Sequence, residues 1–240
     1  MVGKPKSAEM HPGPGFRIRT EWQRPDPDIV TALAAFETPV ISDLMNRLYA
    51  METVIKPLTH PDLRLVGPAL TVKVFPGDNL MVHKSLDIAQ PGDVVVVDAS
   101  ASSLTAVLGD LVCTKARHRG IGGFVVDGLV RDLPAIHALG DFPVFARGVT
   151  PIGPLHRGPG EIGYPIACGG IVVNSGDIII GDLNGVAVIP RDIAEELLRR
   201  LTDRKAAEAD YTTAVARGDF DNSWVDAILE RSGVALEQPA

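Results

Sequence analysis

The spacing of apolar residues changes along the chain, and these changes predict where strands and helices lie. Val94–Asp98 consists of four consecutive valines and an aspartate, which is typical of a strand that is covered on both faces. A segment with helical character follows at residues 110–119, and a second short apolar run follows at residues 124–127. Because two neighbouring parallel strands need a crossover connection, this order predicts a parallel strand–helix–strand unit.

The segments before and after this unit predict further helices and an antiparallel sheet. Further helices are predicted at residues 28–36, 40–48, 79–88, 134–139, 192–210 and 224–229, and further strands at residues 65–74, 143–145, 170–173, 177–181 and 185–189. Turn sequences at residues 174–176 and 182–185 separate the last three strands and are typical of hairpins. The predicted fold class is therefore α/β, with a parallel βαβαβ segment, an antiparallel sheet and flanking N- and C-terminal helices.

The ends of the chain differ in composition from its middle. Residues 1–26 combine prolines and glycines with charged residues, which is typical of a flexible N-terminal arm. Residues 27–233 are predicted to form a single domain, since a chain of 240 residues is long enough to bury one large core. Residues 234–240 are left as a C-terminal tail.

Composition and charge restrict the class of protein and its partners. The chain is 45% hydrophobic and 22% charged, as in globular proteins, and its net charge of −7 argues against nucleic acid as the main partner. Its two cysteines, Cys113 and Cys168, cannot form a disulfide framework. With no evident signal peptide or long apolar span, we expect a cytoplasmic protein without a membrane partner.

Three charged residues are predicted to meet at one edge of the sheet. Asp110 opens the helix that follows one strand, and Arg131 and Asp132 follow the next strand. Ligand crevices of open α/β sheets lie at the carboxyl ends of the strands, so these residues would form a site for a cation and an anionic substrate. Gly109 and Gly128 would leave room for the ligand. In the alternative interpretation, both aspartates only cap helices and Arg131 only forms a surface ion pair.

Other candidate residues have simpler interpretations. The simple interpretation of His83 is an ordinary histidine on a helix. The simple interpretation of Asp98 and Asp127 is that they cap turns at the ends of strands. The six histidines lack the spacing of a zinc site. Lys73 is the only plausible lysine for a Schiff base, as a class I aldolase would require, but no second motif supports it.

Several of these residues lie in runs that resemble one enzyme family. Pro76-Gly77-Asp78-Asn79, Gly109-Asp110-Leu111 and Val126-Asp127-Gly128 with Val130-Arg131-Asp132 resemble the 4-hydroxy-4-methyl-2-oxoglutarate (4-carboxy-4-hydroxy-2-oxoadipate) aldolases, which belong with the RraA-like proteins. The resemblance covers approximately residues 28–233. Its most specific element is an aspartate followed, after twenty residues, by an Arg-Asp pair. In this family that set distinguishes metal-dependent enzymes from non-catalytic relatives.

The resemblance implies a class II pyruvate aldolase that uses Mg²⁺ or Mn²⁺ and has a swivelling β/β/α fold. It implies a homotrimer or homohexamer with active sites between subunits. Asp132 would be the metal ligand, Arg131 would face the pyruvoyl oxygen, and Asp110 would hold a water that moves protons. Further site residues follow from the resemblance or from their place at the helix start: Gly109, Leu111 and Val112 for substrate binding, Asn79 and His83 near the site, and Glu208 from the adjacent subunit.

Three functions remain open on the sequence. The first is retro-aldol cleavage of a 4-hydroxy-2-oxo acid to pyruvate, with oxaloacetate decarboxylation as a related activity. The second is a dedicated decarboxylase of oxaloacetate or another 2-oxo acid, and the third is a non-catalytic RraA-like protein that binds a ribonuclease. The segment 102–108 is less charged than in the aldolases, so the distal half of the substrate is undetermined.

Overall fold

The computed structural model of the protein describes residues 9–234, so the ends of the predicted arm and tail lie outside the described residues. The strands are β1 (Phe16–Ile18), β2 (Lys56–Pro57), β3 (Leu65–Val74), β4 (Val94–Asp98), β5 (Ala106–Leu108), β6 (Gly123–Val130), β7 (Val144–Val149), β8 (Gly160–Ile162), β9 (Ile166–Cys168), β10 (Ile171–Val173), β11 (Ile178–Asp182) and β12 (Gly185–Ile189). The helices are α1 (Pro27–Leu33), α2 (Thr38–Leu44), α3 (Leu80–Ser85), α4 (Asp110–His118), α5 (Leu133–His137), α6 (Ala194–Ala207), α7 (Ala209–Ala216) and α8 (Ser223–Arg231).

A parallel sheet forms the centre of the fold and positions the candidate site. Strands β3, β4, β6 and β7 pair in parallel in that order, and every residue of β4 is buried. Helix α4 connects the region of β5 to β6, and the carboxyl end of β6 leads into α5. The predicted parallel α/β unit is confirmed, and both β6 and β7 are longer than predicted because they continue past their apolar runs.

The antiparallel part of the fold is confirmed in one hairpin and wrong in the other. Strands β11 and β12 form a hairpin in which Asp182 pairs with Gly185, and β11 also pairs antiparallel with β3. Strand β10, however, pairs with β9. The turn at residues 174–176 therefore does not close a hairpin between β10 and β11. It docks on β3, where Gly176 N–H donates to the Ala69 carbonyl at 2.9 Å.

Several helix boundaries differ from the prediction for identifiable reasons. Helix α2 begins at Thr38, with Pro39 in its first turn, and not at residue 40 as predicted. Thr38 donates its N–H and hydroxyl to the buried Asp182 carboxylate at 2.8 and 2.7 Å. Helix α2 ends at Leu44 because Asn46 and Arg47 adopt positive φ. The long helix predicted for residues 192–210 is two helices, α6 and α7.

Part of the predicted N-terminal arm contacts the domain in the described residues. Strand β1 pairs in parallel with β8, and Arg17 contacts Glu161 at 2.7 Å. The Arg24 guanidinium forms two hydrogen bonds, of 2.5 and 2.8 Å, with the carboxylate of Asp93, whose side chain is 1% exposed. A buried carboxylate needs such a partner because an unpaired buried charge is costly.

Replacing Arg24 with alanine should lower the free energy of unfolding by about 2 kcal/mol, since it removes two charge-assisted hydrogen bonds from a buried acceptor. Urea denaturation measures this change. Arg47→Ala is the matched control because Arg47 pairs with Asp43 on the surface, where such a pair contributes less than about 1 kcal/mol. Equal effects of the two substitutions would show that the arm does not stabilise the domain.

The chain divides into two compact units, and the single domain over residues 27–233 stays a prediction. The first unit extends to Leu201, and the second begins at Thr202 and contains α7 and α8. Within residues 9–234, no helix is both long and apolar enough to cross a membrane.

Candidate functional site

A cavity of about 180 Å³ lies where α4 begins and β6 ends. It is lined by Asn79, His83, Leu108, Gly109, Asp110, Leu111, Val112, Arg131, Asp132, Pro154 and His156. All the predicted site residues except Glu208 are in this set. The structure therefore brings together residues from α3, α4 and the segment after β6, which lie far apart in sequence.

Asp110 is the first residue of α4 and is not its cap. Gly109 occupies the cap position in an extended conformation, and no side chain caps this helix. The Asp110 carboxylate accepts the N–H of its neighbour Leu111 at 2.8 Å. Of the two N–H groups predicted to bind a substrate carboxylate, that of Leu111 is therefore engaged by Asp110, which leaves the Val112 N–H as the better candidate.

Asp132 has an uncommon backbone conformation, and its carboxylate makes no capping hydrogen bond to α5. Its φ of 60° and ψ of 32° place it in the left-handed region, which few residues other than glycine adopt. Its carbonyl oxygen accepts the N–H groups of Ala135 and Ile136 at 3.0 and 3.1 Å, while its side chain makes no capping bond to α5. Neither carboxylate therefore makes an N-cap hydrogen bond, although that of Asp110 accepts the N–H of Leu111 in the first turn of α4.

Arg131 is held between Asp132 and two glycines. Its Nε lies 3.1 Å from Oδ2 of Asp132. A Cβ placed on Gly109 would lie 2.3 Å from Oδ2 of Asp132 and 3.0 Å from Cγ of Arg131, and a Cβ on Gly153 would lie 2.3 Å from Nη1 of Arg131. A Cβ at either position would force the side chain of Asp132 or of Arg131 to move from its present place. Gly128, which was predicted to open space for the ligand, instead faces Ala99 and Val107 inside the fold.

Asn79 connects the cavity to a histidine that the sequence did not indicate. The Asn79 side chain donates from Nδ2 to the Val107 carbonyl at 2.8 Å, and its Oδ1 lies 2.6 Å from Nδ1 of His156. His156 is in an irregular segment between β7 and β8, 77 residues from Asn79. Neither apolar periodicity nor a motif marks this segment, so only the three-dimensional structure shows that His156 lines the cavity.

His83 packs edge to face against His156, with ring centroids 5.4 Å apart. Burial lowers the pKa of the His83 imidazole below its usual value, and the nearby His156 and Lys115 lower it further. His83 is therefore neutral at neutral pH and is suited to a polar, uncharged wall of the cavity.

We expect the His83 ring to titrate below 6.5 in the folded protein, as measured by NMR of its ring protons. In His156→Gln the midpoint should rise but stay below 6.5, because burial, the larger cause, remains. Since the folded pKa is below the unfolded one, acidification below about 6.5 favours the unfolded chain, and His83→Gln should reduce that loss of stability. A midpoint at or above 6.5 would contradict this account of the cavity wall.

The acidic groups of the cavity suit a hard cation that keeps much of its water. Asp110 and Asp132 offer only oxygen ligands, and the Asp132 side chain is 39% exposed, so water and a substrate can reach it. Among residues 9–234 no cluster of three or more His, Cys, Asp or Glu side chains could hold a metal. This donor set fits Mg²⁺ or Mn²⁺, which use few carboxylates together with water and substrate oxygens, and does not fit a structural zinc site.

The remaining candidates lie outside this cavity. Glu208 belongs to the second compact unit and forms an ion pair with Arg204 at 2.9 Å. Lys73 is 48% exposed and pairs with Asp98 at 3.1 Å, so it lacks the desolvated environment of a Schiff-base lysine. Asp98 does cap a turn, since it accepts the Ser100 N–H at 2.8 Å, whereas Asp127 lies within β6 and accepts the Gly169 N–H at 2.7 Å.

The cavity contains no activated thiol. Cys113 is buried on α4, and this burial, together with the nearby carboxylates of Asp110 and Asp132, raises the pKa of its thiol to about 12. A thiol that stays protonated at neutral pH is a poor nucleophile. The chemistry of the site therefore rests on its carboxylates, the guanidinium and the two histidines.

The segment 102–108 is divided between the interior and a second cavity. Ala106–Leu108 forms the buried strand β5, and Leu108 contacts the first cavity. Ser102, Leu104 and Thr105 line a neighbouring cavity of about 350 Å³ together with Gly153 and Leu155. Only the first part of this segment therefore lines the second cavity.

Comparison with known proteins gives a consistent assignment. Residues 38–188 match the family model described as RraA-like, Aldolase/RraA. A protein of Halalkalibacterium halodurans named "Putative 4-hydroxy-4-methyl-2-oxoglutarate aldolase" is 42% identical over 189 residues, which are 79% of this chain and 89% of the relative. Similarly named proteins of Azotobacter vinelandii and Hahella chejuensis are each 35% identical, over 53% and 65% of this chain. An aldolase is a lyase, so the names of these relatives indicate a lyase.

Solved structures of related proteins have the same fold. Streptomyces coelicolor RraAS2, described as an unusual member of the RNase ES inhibitor RraA protein family, superimposes with a TM-score of 0.70 at 29% identity, covering 80% of this chain and 99% of its own. An uncharacterized protein of Pseudomonas syringae superimposes with a TM-score of 0.73 at 24% identity, covering 83% and 97%. The family match over residues 38–188 and the relative that is 42% identical show that the chain belongs to the RraA-like (Aldolase/RraA) family.

Proposed function

We propose that this protein is a divalent-cation-dependent lyase that cleaves a 4-hydroxy-2-oxo acid to pyruvate by a retro-aldol reaction, and that it also decarboxylates oxaloacetate. The observation that carries the proposal is the cavity in which Arg131 and Asp132 meet the start of α4. Neither Asp110 nor Asp132 uses its carboxylate as a helix cap, and two glycines accommodate the Arg131–Asp132 pair. Together these features support a site for a cation and an anionic substrate.

Both reactions share one difficult species, the enolate of pyruvate. A divalent cation, when bound, would polarise the 2-oxo group and offset the negative charge that develops on its oxygen. The carboxylate of Asp132 would hold this cation. One protein carboxylate is sufficient because water and substrate oxygens usually supply the other ligands of Mg²⁺. Manganese would serve in the same way.

The chain's own residues would bind the pyruvoyl half of the substrate. The Arg131 guanidinium would donate hydrogen bonds to the 2-oxo oxygen, where its charge is most useful as the enolate forms. The Val112 N–H, at the positive end of the α4 dipole, would bind the substrate carboxylate. Asp110, which also opens α4, would hold a water that delivers a proton to the enolate carbon.

Assembly and cellular location stay predictions. The family resemblance implies a homotrimer or homohexamer in which Glu208 would be supplied to the site by an adjacent subunit. Size-exclusion chromatography with light scattering would measure the number of subunits. A monomer with full activity would remove Glu208 from the proposed site.

A second function is favoured by one of the comparisons. The similarity to Streptomyces RraAS2 supports a protein that binds a ribonuclease instead of a metabolite. The cavity argues against this function, since an adaptor does not need a cation site or an arginine placed between glycines. The two functions are separable by experiment.

The test is pyruvate release, followed with coupled lactate dehydrogenase, from 4-hydroxy-4-methyl-2-oxoglutarate and from oxaloacetate. Each substrate is supplied with Mg²⁺, with Mn²⁺ or with EDTA. We expect release from both substrates with either metal and its loss with EDTA. If neither substrate yields pyruvate with metal, and the protein captures a purified ribonuclease E-type enzyme, the regulatory function replaces the proposed one.

A further inference from the structure

Both polar atoms of the Asn79 side chain are fixed, and this determines the proton positions on His156. Asn79 is 2% exposed, and its amide contacts the Val107 carbonyl on one side and His156 Nδ1 on the other. A carbonyl oxygen only accepts hydrogen bonds, so the amide nitrogen must face Val107. The amide oxygen, which also only accepts, must then face the histidine.

His156 Nδ1 therefore carries a hydrogen and donates it to Asn79 Oδ1 over 2.6 Å. In the neutral ring the lone pair is then on Nε2. No hydrogen-bond partner for Nε2 is found within residues 9–234, and His156 lines the same cavity as Asp110, Arg131 and Asp132. The structure thus presents an oriented imidazole whose basic nitrogen is available to a ligand.

The surroundings keep this ring in place without competing for its basic nitrogen. The His83 ring packs against it edge to face, and the pKa of His83 is lowered mainly by burial, so His83 is uncharged at neutral pH. The backbone beside His156 is also fixed, since Leu155 exchanges hydrogen bonds with Gly77 and Asn79 at 2.7 and 3.0 Å. An oriented base of this kind is what proton abstraction requires.

We infer that His156 is the base that removes the proton from the 4-hydroxyl group of the substrate, with Asn79 as the residue that sets its tautomer. This inference rests on the proposed function and adds a residue that neither the sequence nor the family resemblance indicated. Nε2 of His156 takes the hydroxyl proton, and the O–H electron pair forms the new carbonyl at C4. The C3–C4 bond breaks, and its electron pair becomes the enolate of pyruvate. The water held by Asp110 protonates C3, and the imidazolium returns its proton to water.

Comparing the two proposed substrates distinguishes a base for the 4-hydroxyl group from residues that bind the pyruvoyl half. Retro-aldol cleavage needs a base for the 4-hydroxyl group, whereas oxaloacetate has no 4-hydroxyl group and loses CO₂ without that step. A residue that binds the shared pyruvoyl half affects both reactions. A base for the hydroxyl affects only the aldol reaction.

The experiment compares kcat/KM for 4-hydroxy-4-methyl-2-oxoglutarate and oxaloacetate in wild-type protein, His156→Gln and His118→Gln, with Mg²⁺ present. His118 is the matched control because it is exposed at the far end of α4. His156→Gln should lose about 100-fold or more of aldol cleavage, the usual contribution of a general base. It should keep oxaloacetate decarboxylation close to the wild-type rate, which also shows that the variant is folded. His118→Gln should match the wild type in both reactions.

Equal loss of both reactions in His156→Gln, or loss of neither, would overturn the role of His156 while the active wild type upholds the proposed function. Wild-type protein that decarboxylates oxaloacetate but cleaves no 4-hydroxy-2-oxo acid would also overturn it. Wild-type protein that is inactive on both substrates would overturn the proposed function itself, and with it this role.

Discussion

Replacing Arg131 with alanine should reduce pyruvate release from both substrates by about 10²- to 10³-fold, the usual loss when one donor to a developing oxyanion is removed. The guanidinium is the only cationic side chain that lines the cavity within residues 9–234. It would contact the oxygen on which both reactions place negative charge, so the loss should be similar for the aldol and the decarboxylation reaction. Steady-state kinetics with saturating Mg²⁺ measures this effect.

Arg131→Lys is the informative companion variant. Lysine keeps the charge but not the planar, multiple-donor geometry of the guanidinium, so an activity between those of Arg131→Ala and the wild type is expected. Arg131 is 42% exposed and its ion pair is with the adjacent residue, so neither variant should greatly change the thermal midpoint. A folded Arg131→Ala protein that keeps most of its turnover would contradict the proposed site.

Replacing Gly109 with alanine should impair the site by about 100-fold in kcat/KM while leaving the fold intact. The backbone of Gly109 is extended, so alanine causes no backbone strain there. Its Cβ, however, would lie 2.3 Å from Oδ2 of Asp132 and 3.0 Å from Cγ of Arg131. The side chains of Arg131 and Asp132 must then move, and a displacement of about 1 Å is enough for a loss of this size.

Two further glycine variants separate the contributions of Asp132 and Arg131. Gly153→Ala would press on Nη1 of Arg131, at 2.3 Å, and should reduce the rate without weakening Mn²⁺ binding. Gly109→Ala should reduce both the rate and the affinity for Mn²⁺. Gly122→Ala is the control, because Gly122 precedes β6 at the end away from Arg131 and its Cβ would meet only backbone oxygens at 3.2 Å or more. Wild-type kinetics in Gly109→Ala would show that the Arg131–Asp132 arrangement is unimportant.

The sequence predicted those parts of the fold in which one face or both faces of an element are apolar. The valine run of β4, the amphipathic α4 and the β11–β12 hairpin each carry their pattern within a few residues. Strands β1, β2, β5, β8 and β9 were missed because each has only two or three residues, too few for a periodicity. The turn at residues 174–176 was misassigned because its partner is β3, about one hundred residues earlier.

The candidate site residues that follow directly after strands could be predicted from the order of the elements. Those that depend on contacts between distant segments could not. Asp110, Arg131 and Asp132 follow directly from the rule that ligands lie at the carboxyl ends of parallel strands. The role of His156 depends on its contact with Asn79, and the positive φ of Asp132 is set by the turn into α5. Neither feature leaves a local mark in the sequence.

The most direct test of the central claim, that this cavity stabilises the enolate of pyruvate, is exchange of the pyruvate methyl protons for deuterium. Pyruvate is incubated with the protein in D₂O, with Mg²⁺ or with EDTA, and the methyl signal is followed by NMR. Loss of the signal with Mg²⁺, its persistence with EDTA, and its persistence in Arg131→Ala are the results that the account predicts. A methyl signal that persists with Mg²⁺ at high wild-type protein concentration would contradict the account.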